Sequence, residues 1–214
     1  MMQTIDLITK LSNEAKPVKP MISPVKWVAF LLVICAIYAS AAQIFLGIRA
    51  DLATQFMRPL FAAEISLISL LFVSSIISAT LNIYPDLYQK LRLTKLPYII
   101  LLLLSSLLIF QIFIPDSSSS LKYPDDHKIM CSACIALLSF IPAILIFVIL
   151  KKGAATRPFQ AGLFAVLAAS SLGSLIFRLF EDNDSISHIL TWHYLPMIFL
   201  ALIGTLIGKL LLKW

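Results

Sequence analysis

His127, Cys131 and Cys134 are spaced i, i+4, i+7, which puts them on one face of a helix. Neutral imidazole and thiolate sulfur bind soft or borderline metals. A thiolate near a helix N-terminus is also more acidic and more reactive than a free one. A regulatory metal or redox site on these three residues is one reading, with His188 as a further ligand. Asp125, Asp126, Glu181, Asp182 and Asp184 lie close by if the helices around them pack together. The plainer reading treats the cysteines as small apolar helix residues and the loop acids and histidines as solvated. Cys131-Ser132-Ala133-Cys134 is also a C-x-x-C, the pattern of thiol–disulfide exchange. Membrane thiol oxidases relay electrons through a second pair, and only Cys35 remains here, in mid-span. There is no His-Glu-x-x-His and no Gly-x-Ser-x-Gly, so the sequence points away from an enzyme.

Gln43, Glu64, Gln111, Arg178 and His193 fall inside strongly apolar runs. Such groups are costly in lipid, and either serve function or hold helices together. Glu64 and Arg178 can pair across helices.

The elements that carry these residues are set by composition. The 214 residues are 60% hydrophobic and 13% charged, where soluble domains run near 45–50% and about 25%. Six runs are long enough to span a bilayer, at 27–48, 60–84, 96–114, 129–150, 158–180 and 189–212. The expected fold is an all-α bundle of six spans occupying 27–214, preceded by a tail over 1–26. The first run continues past Ala39-Ser40-Ala41 to Ile48, so it reads as a span and not as a cleaved signal. Pro142 and Pro196 sit inside spans and are expected to kink them. Gly204 and Gly208, and the small residues from Ala165 to Ser174, suit close packing.

Orientation follows from the basic residues. Both termini share one side, which carries twelve Lys and Arg, against five on the other. The positive-inside rule places that richer side in the cytoplasm. The histidines, Cys131 and Cys134 then lie at or near the outer face. The net charge of +6 is an orientation signal, and no direct nucleic-acid partner is expected beside the lipid bilayer.

In the tail, Ile5, Ile8, Leu11 and Ala15 recur at helical spacing with Leu7 beside them. Thr4 is the expected cap, and Pro17, Pro20 and Pro24 end the helix and stiffen the linker to the membrane. So short a helix is marginal alone in water. Its apolar stripe calls for a membrane surface or a partner's groove.

Several motifs recur in one order along the chain. They are Asp6-Leu7-Ile8, Pro17-Val18-Lys19-Pro20, Arg49-Ala50-Asp51-Leu52 and Ser139-Phe140-Ile141-Pro142. Lys151-Lys152-Gly153-Ala154, Arg157-Pro158, Ala161-Gly162-Leu163 and Trp192-His193-Tyr194-Leu195-Pro196 follow, with a terminal Lys213-Trp214. This order resembles the NrsF-like family, negative regulators of sigma F in bacteria. The resemblance implies a six-span inner-membrane anti-sigma factor with both termini cytoplasmic and no catalytic residues. Its N-tail, here Ile5, Asp6, Leu7, Ile8 and Leu11, would hold an extracytoplasmic-function sigma factor. Its outer side would receive an envelope, metal or redox stress signal through two cysteines. Cys131 or Cys134 matches one of them. The loop meant to carry the other reads Phe180-Glu181-Asp182-Asn183-Asp184 and has none. A small transporter or metal permease is the alternative from another class, without a detectable internal repeat to support it.

The orientation has a direct check. Reporter fusions after Lys95 and Lys152 are expected in the cytoplasm, and fusions after Lys122 and Asp184 on the outer side. An outer signal at Lys152 would reverse the assignment.

Overall fold

The computed structural model describes residues 4–14, 22–84, 92–113 and 128–212. His127, Asp125, Asp126 and the Pro17–Pro20 motif, like the terminal Lys213-Trp214, lie outside the described residues. Everything described is helix or connecting turn, and six helices are long and apolar enough to cross a membrane.

The order is α1 (Thr4–Glu14), α2 (Pro24–Leu46), a short α3 (Leu52–Phe56), α4 (Pro59–Leu81) and α5 (Leu96–Ile112). Then come α6 (Lys128–Leu150), α7 (Pro158–Arg178), α8 (Ile186–His188), a π-helical segment (Ile189–Tyr194) and α9 (Leu195–Leu211). Proline opens α2, α4, α5 and α7 within the first two positions, where no N–H is needed. The first span therefore starts at Pro24, earlier than the hydropathy alone places it. It stops at Leu46, because Gly47 takes φ +89° and turns the chain. Thr4 is already the first residue of α1 and not its cap. The last span begins at Ile186, not at 189, and is π-helical over Ile189–Tyr194.

α7 is the axis of the bundle. Sixteen of its residues, from Ala161 to Arg178, are buried, and it packs on α4, α6 and α9. Close approach is made possible by missing side chains. A Cβ on Gly162 would stand 2.2 Å from the Gly204 carbonyl oxygen and 2.6 Å from Gly208 Cα. A Cβ on Gly173 would meet Ser139 Oγ at 2.4 Å and the Ile135 carbonyl at 2.8 Å. Helices in lipid associate by such packing, because lipid tails are as apolar as leucine.

The two internal prolines each deprive a carbonyl of its usual partner four residues back. Hydroxyls from neighbouring helices replace both. Tyr38 on α2 donates to the Leu138 carbonyl at 2.9 Å, four residues before Pro142. Ser132 on α6 donates to the Trp192 carbonyl at 2.9 Å, four residues before Pro196. Pro142 leaves α6 a single unbroken helix, whereas Pro196 is preceded by the π-helical segment. The prolines thus act as cross-links between spans.

Because the spans alternate in direction, the starts of α2 and α7 share one end, called proximal here. The ends of α2 and α7 and the start of α4 share the other, distal end. At the proximal end Tyr84 donates to the Ile22 carbonyl, tying the segment before α2 to the end of α4.

Gly162→Ala should lower the stability of the detergent-solubilised chain by about 1–3 kcal/mol, the usual cost of overpacking. Leu206→Ala, on the lipid-facing side of α9, should change the thermal unfolding midpoint little.

Candidate functional site

The distal end holds a polar cluster whose Arg49, Arg178 and Glu64 side chains are buried and whose Asp51 reaches the surface. Arg178, the last residue of α7, donates from Nε to Glu64 Oε1 on α4 at 3.1 Å. Both side chains are nearly fully buried. Tyr194 donates its hydroxyl to the same Glu64 oxygen at 3.2 Å. Arg178 Nη1 also lies 2.8 Å from Asp184 Oδ1. Asp184 is shared with Arg49, whose side chain is 1% exposed although it follows α2 in a turn. Arg49 reaches Asp184 by two hydrogen bonds of 3.0 and 2.9 Å and Asp51 by two of 2.6 and 2.9 Å. Gln55 completes the shell of Asp51 at 2.8 Å. Both guanidiniums lie over the Phe61 ring, Arg178 Cζ at 4.9 Å and Arg49 Cζ at 5.7 Å from its centroid.

The surroundings bias Asp51 and Asp184 toward the ionised form. The Arg49 and Gln55 hydrogen bonds hold Asp51 well below the usual carboxylate range. Burial pushes Asp184 up, but the Arg49 hydrogen bond and the nearby Arg178 charge outweigh it and bring it below its ordinary value.

Arg49 Nη1 also donates to the Glu181 backbone carbonyl at 3.1 Å. That contact joins the cluster to a second set of groups. The Glu181 side chain faces His193 Nε2 at 2.7 Å, His188 Nε2 at 3.1 Å and the Cys131 thiol at 3.4 Å. Burial raises the Glu181 pKa, and the close approach of His193, with His188 beside it, reverses this to a net lowering. One ligand-type atom from each of Cys131, Glu181, His188 and His193 lies within 4.8 Å of every other. Phe177 closes one side, its ring 5.4 Å from that of His193.

The expected set of Cys131, Cys134, His127 and His188 is therefore only partly assembled. Cys131 and His188 are in the cluster. Cys134 is outside that foursome and packs against Cys131, Ile135 and Phe177 as an apolar residue. His127 lies outside the described residues. His193, read from the sequence as an intramembrane polar group, joins Cys131, Glu181 and His188 in that foursome. Glu64 and Arg178 pair as expected. Gln43 donates to the Ile176 carbonyl at 2.7 Å and so braces α2 on α7. Gln111, on α5, joins neither set. Cys35 is buried in the main apolar core.

Sequence reasoning missed the network by which Asp51 and Asp184 hold the buried Arg49, because Arg49 and Arg178 read as orientation charges. The available signal was local. Arg49-x-Asp51 stands at the end of one span, and Arg178, Glu181 and Asp184 recur at intervals of three at the end of another.

Fold and site together define a polytopic membrane protein with a polar lock at one end of its bundle. The family model described as "NrsF: Negative regulator of sigma F" matches residues 11–214. The chain belongs to this family of negative regulators of a sigma factor, a regulatory class and not an enzyme class. No curated protein and no solved structure matches the chain.

Two predictions follow from the lock's chemistry. Arg178→Leu should destabilise by about 3–5 kcal/mol, because it strands a buried carboxylate. The double variant Glu64→Leu/Arg178→Leu should recover much of that loss, since a buried pair is often replaceable by apolar groups. A thermal double-mutant cycle reads both. The second prediction concerns pH. Asp184 is depressed in the folded chain, so its contribution is present above the ordinary carboxylate pKa of about 3.9 and is lost as the pH falls through the lower folded value. Asp184→Asn should flatten the acid side of the stability profile.

Proposed function

We propose that this chain is a membrane-bound anti-sigma factor that holds an extracytoplasmic-function sigma factor on its cytoplasmic tail. In this reading the proximal end faces the cytoplasm and the distal lock faces outward. An envelope stress signal at the lock would release the sigma factor. The observation that carries the reading is α1. It is an 11-residue helix with no buried residue. Ile5, Ile8 and Leu11 are more than half exposed, and Leu7 is 43% exposed. A helix this short gains little stability by itself in water. Its exposed apolar stripe is the form an amphipathic helix takes when it docks in a partner's groove. Membership of a family of negative regulators of a sigma factor supplies the class of that partner. Residues 4–10 precede the matched segment, so their role rests on the stripe itself.

Release requires that the signal favour one bundle state over another, since a ligand shifts an equilibrium only by its differential affinity. α2 is the direct route. It carries Tyr38 and Gln43 against α6 and α7, and the Arg49 turn follows it.

Leu7→Asp or Leu11→Asp is expected to free the sigma factor while the chain stays in the membrane. Burying a leucine is worth about 1.5–3 kcal/mol, and an unpaired carboxylate in an apolar groove costs more. The loss of affinity should reach ~100-fold, at 1.4 kcal/mol for each tenfold. Lys10→Ala should matter far less, because an exposed charge pair is worth about 0–1 kcal/mol. Expression of the regulated genes without any signal is the readout. Continued repression in Leu7→Asp would remove the stripe from the binding surface. Tight binding of the tail peptide to anionic vesicles, with no protein partner, would make α1 a membrane-surface helix.

A further inference from the structure

We infer that Cys131, Glu181, His188 and His193 form a binding site for a borderline divalent cation of the zinc and cobalt class. The inference deepens the reading above by naming a chemical class for the distal input.

The geometry comes first. Four atoms on a tetrahedron with bonds of about 2.0–2.3 Å stand roughly 3.3–3.8 Å apart. The four candidate atoms lie within 4.8 Å of one another. The measured approaches to the Glu181 carboxylate are 2.7, 3.1 and 3.4 Å. Small side-chain adjustments reach the tetrahedral spacing.

The second observation is the state of the ring nitrogens. His193 Nε2, His188 Nε2 and Glu181 Oε2 are buried, and the 2.7 and 3.1 Å approaches of the two imidazoles to the Glu181 carboxylate are close contacts out of hydrogen-bond alignment. His193 itself is 1% exposed. Buried polar atoms are normally satisfied. Atoms that crowd together without hydrogen-bond alignment are what a shared cation would satisfy.

The third is the helix geometry. His188 and His193 are five residues apart, which on an ordinary α-helix places side chains about 140° from each other. The π-helical segment Ile189–Tyr194 widens the turn between them. The two rings come to 5.3 Å between centroids. Single π turns of this kind are frequent at functional sites. Here the π turn sits beside Pro196, and Ser132 holds the Trp192 carbonyl within it.

Charge favours the same conclusion. Three carboxylates, Glu64, Asp51 and Asp184, already pair with the two arginines, Arg49 and Arg178, and the Glu181 carboxylate, facing His188, His193 and Cys131, is left without one. Arg49, by holding the Glu181 carbonyl, fixes the backbone of one ligand from outside the site. A thiol, two imidazoles and one carboxylate select against hard cations such as magnesium and calcium, which demand oxygen donors. The ligands come from α6, from the turn after α7, from α8 and from the π segment. Bound metal would therefore clamp α6 to the connection between α7 and α9.

The test uses the full chain in detergent, stripped of metal with a chelator and titrated with Co2+ in the absence of any sigma factor. One equivalent should bind, with the intense visible bands of tetrahedral cobalt and a near-ultraviolet thiolate-to-cobalt charge-transfer band. Zn2+ should displace it. Cys131→Ser should abolish the charge-transfer band, and His188→Ala should weaken Zn2+ binding at least ~10–100-fold. Cys134→Ser should behave as wild type. His188→Gln, also read by Zn2+ competition, covers the case in which another variant does not fold. Cobalt binding without a thiolate band, equal Zn2+ affinity in the His188 variants, or loss of the band in Cys134→Ser would each overturn the site. Because no sigma factor is present, failure here is separate from failure of tail binding, which the Leu7 and Leu11 variants read on their own.

Discussion

A buried guanidinium at the end of the central helix constrains this bundle more than any other group. Arg178 is charged at every accessible pH, and its position on α7 leaves it no route to water. It is sustained by Glu64 from α4 and by Asp184 from the turn after α7. Asp184 in turn needs Arg49, which brings the end of α2 into the same cluster. Removing one member of such a chain leaves an opposite charge unpaired in low dielectric, where the cost is several kcal/mol. Three spans and two connections are thereby fixed at the distal end by one electrostatic requirement.

The rest of α7 is governed by size. Gly162 and Gly173 let its backbone touch α9 and α6, so the helix is clamped by backbone contact at one end and by charge at the other. The two prolines fit the same scheme, because each freed carbonyl is taken by a hydroxyl on a different span. A bundle joined this way moves between discrete arrangements, not by continuous deformation. In the functional reading, a change at the distal lock is transmitted along α2 toward the tail, where α1 has no buried residue.

Much of the fold was legible because lipid imposes a simple rule. Runs of about 20 apolar residues must be helices, and Pro59, Pro158 and Lys151-Lys152-Gly153 punctuate them in the sequence. The Glu64–Arg178 pair was legible for a related reason, since lone charges in apolar runs need each other. The candidate metal set was only half legible. His127, Cys131 and Cys134 were grouped by α-helical spacing, but the ligand atoms that converge come from four separate segments. His188 was legible as a further ligand, whereas His193 was hidden because its five-residue spacing from His188 reads as opposite faces until a π turn intervenes. Arg49 was hidden because a basic residue after a span is ordinarily a surface charge, and only the packing of Asp184 against it shows otherwise.

The central claim is that the tail of this membrane regulator holds a sigma factor. Its most direct test is affinity capture from solubilised membranes of the full chain and of a chain lacking residues 1–20, with the retained proteins identified. The full chain should retain a sigma factor, and the truncated chain should lose it while remaining in the membrane fraction. Equal retention by both chains, or no sigma factor on the full chain, would contradict the claim.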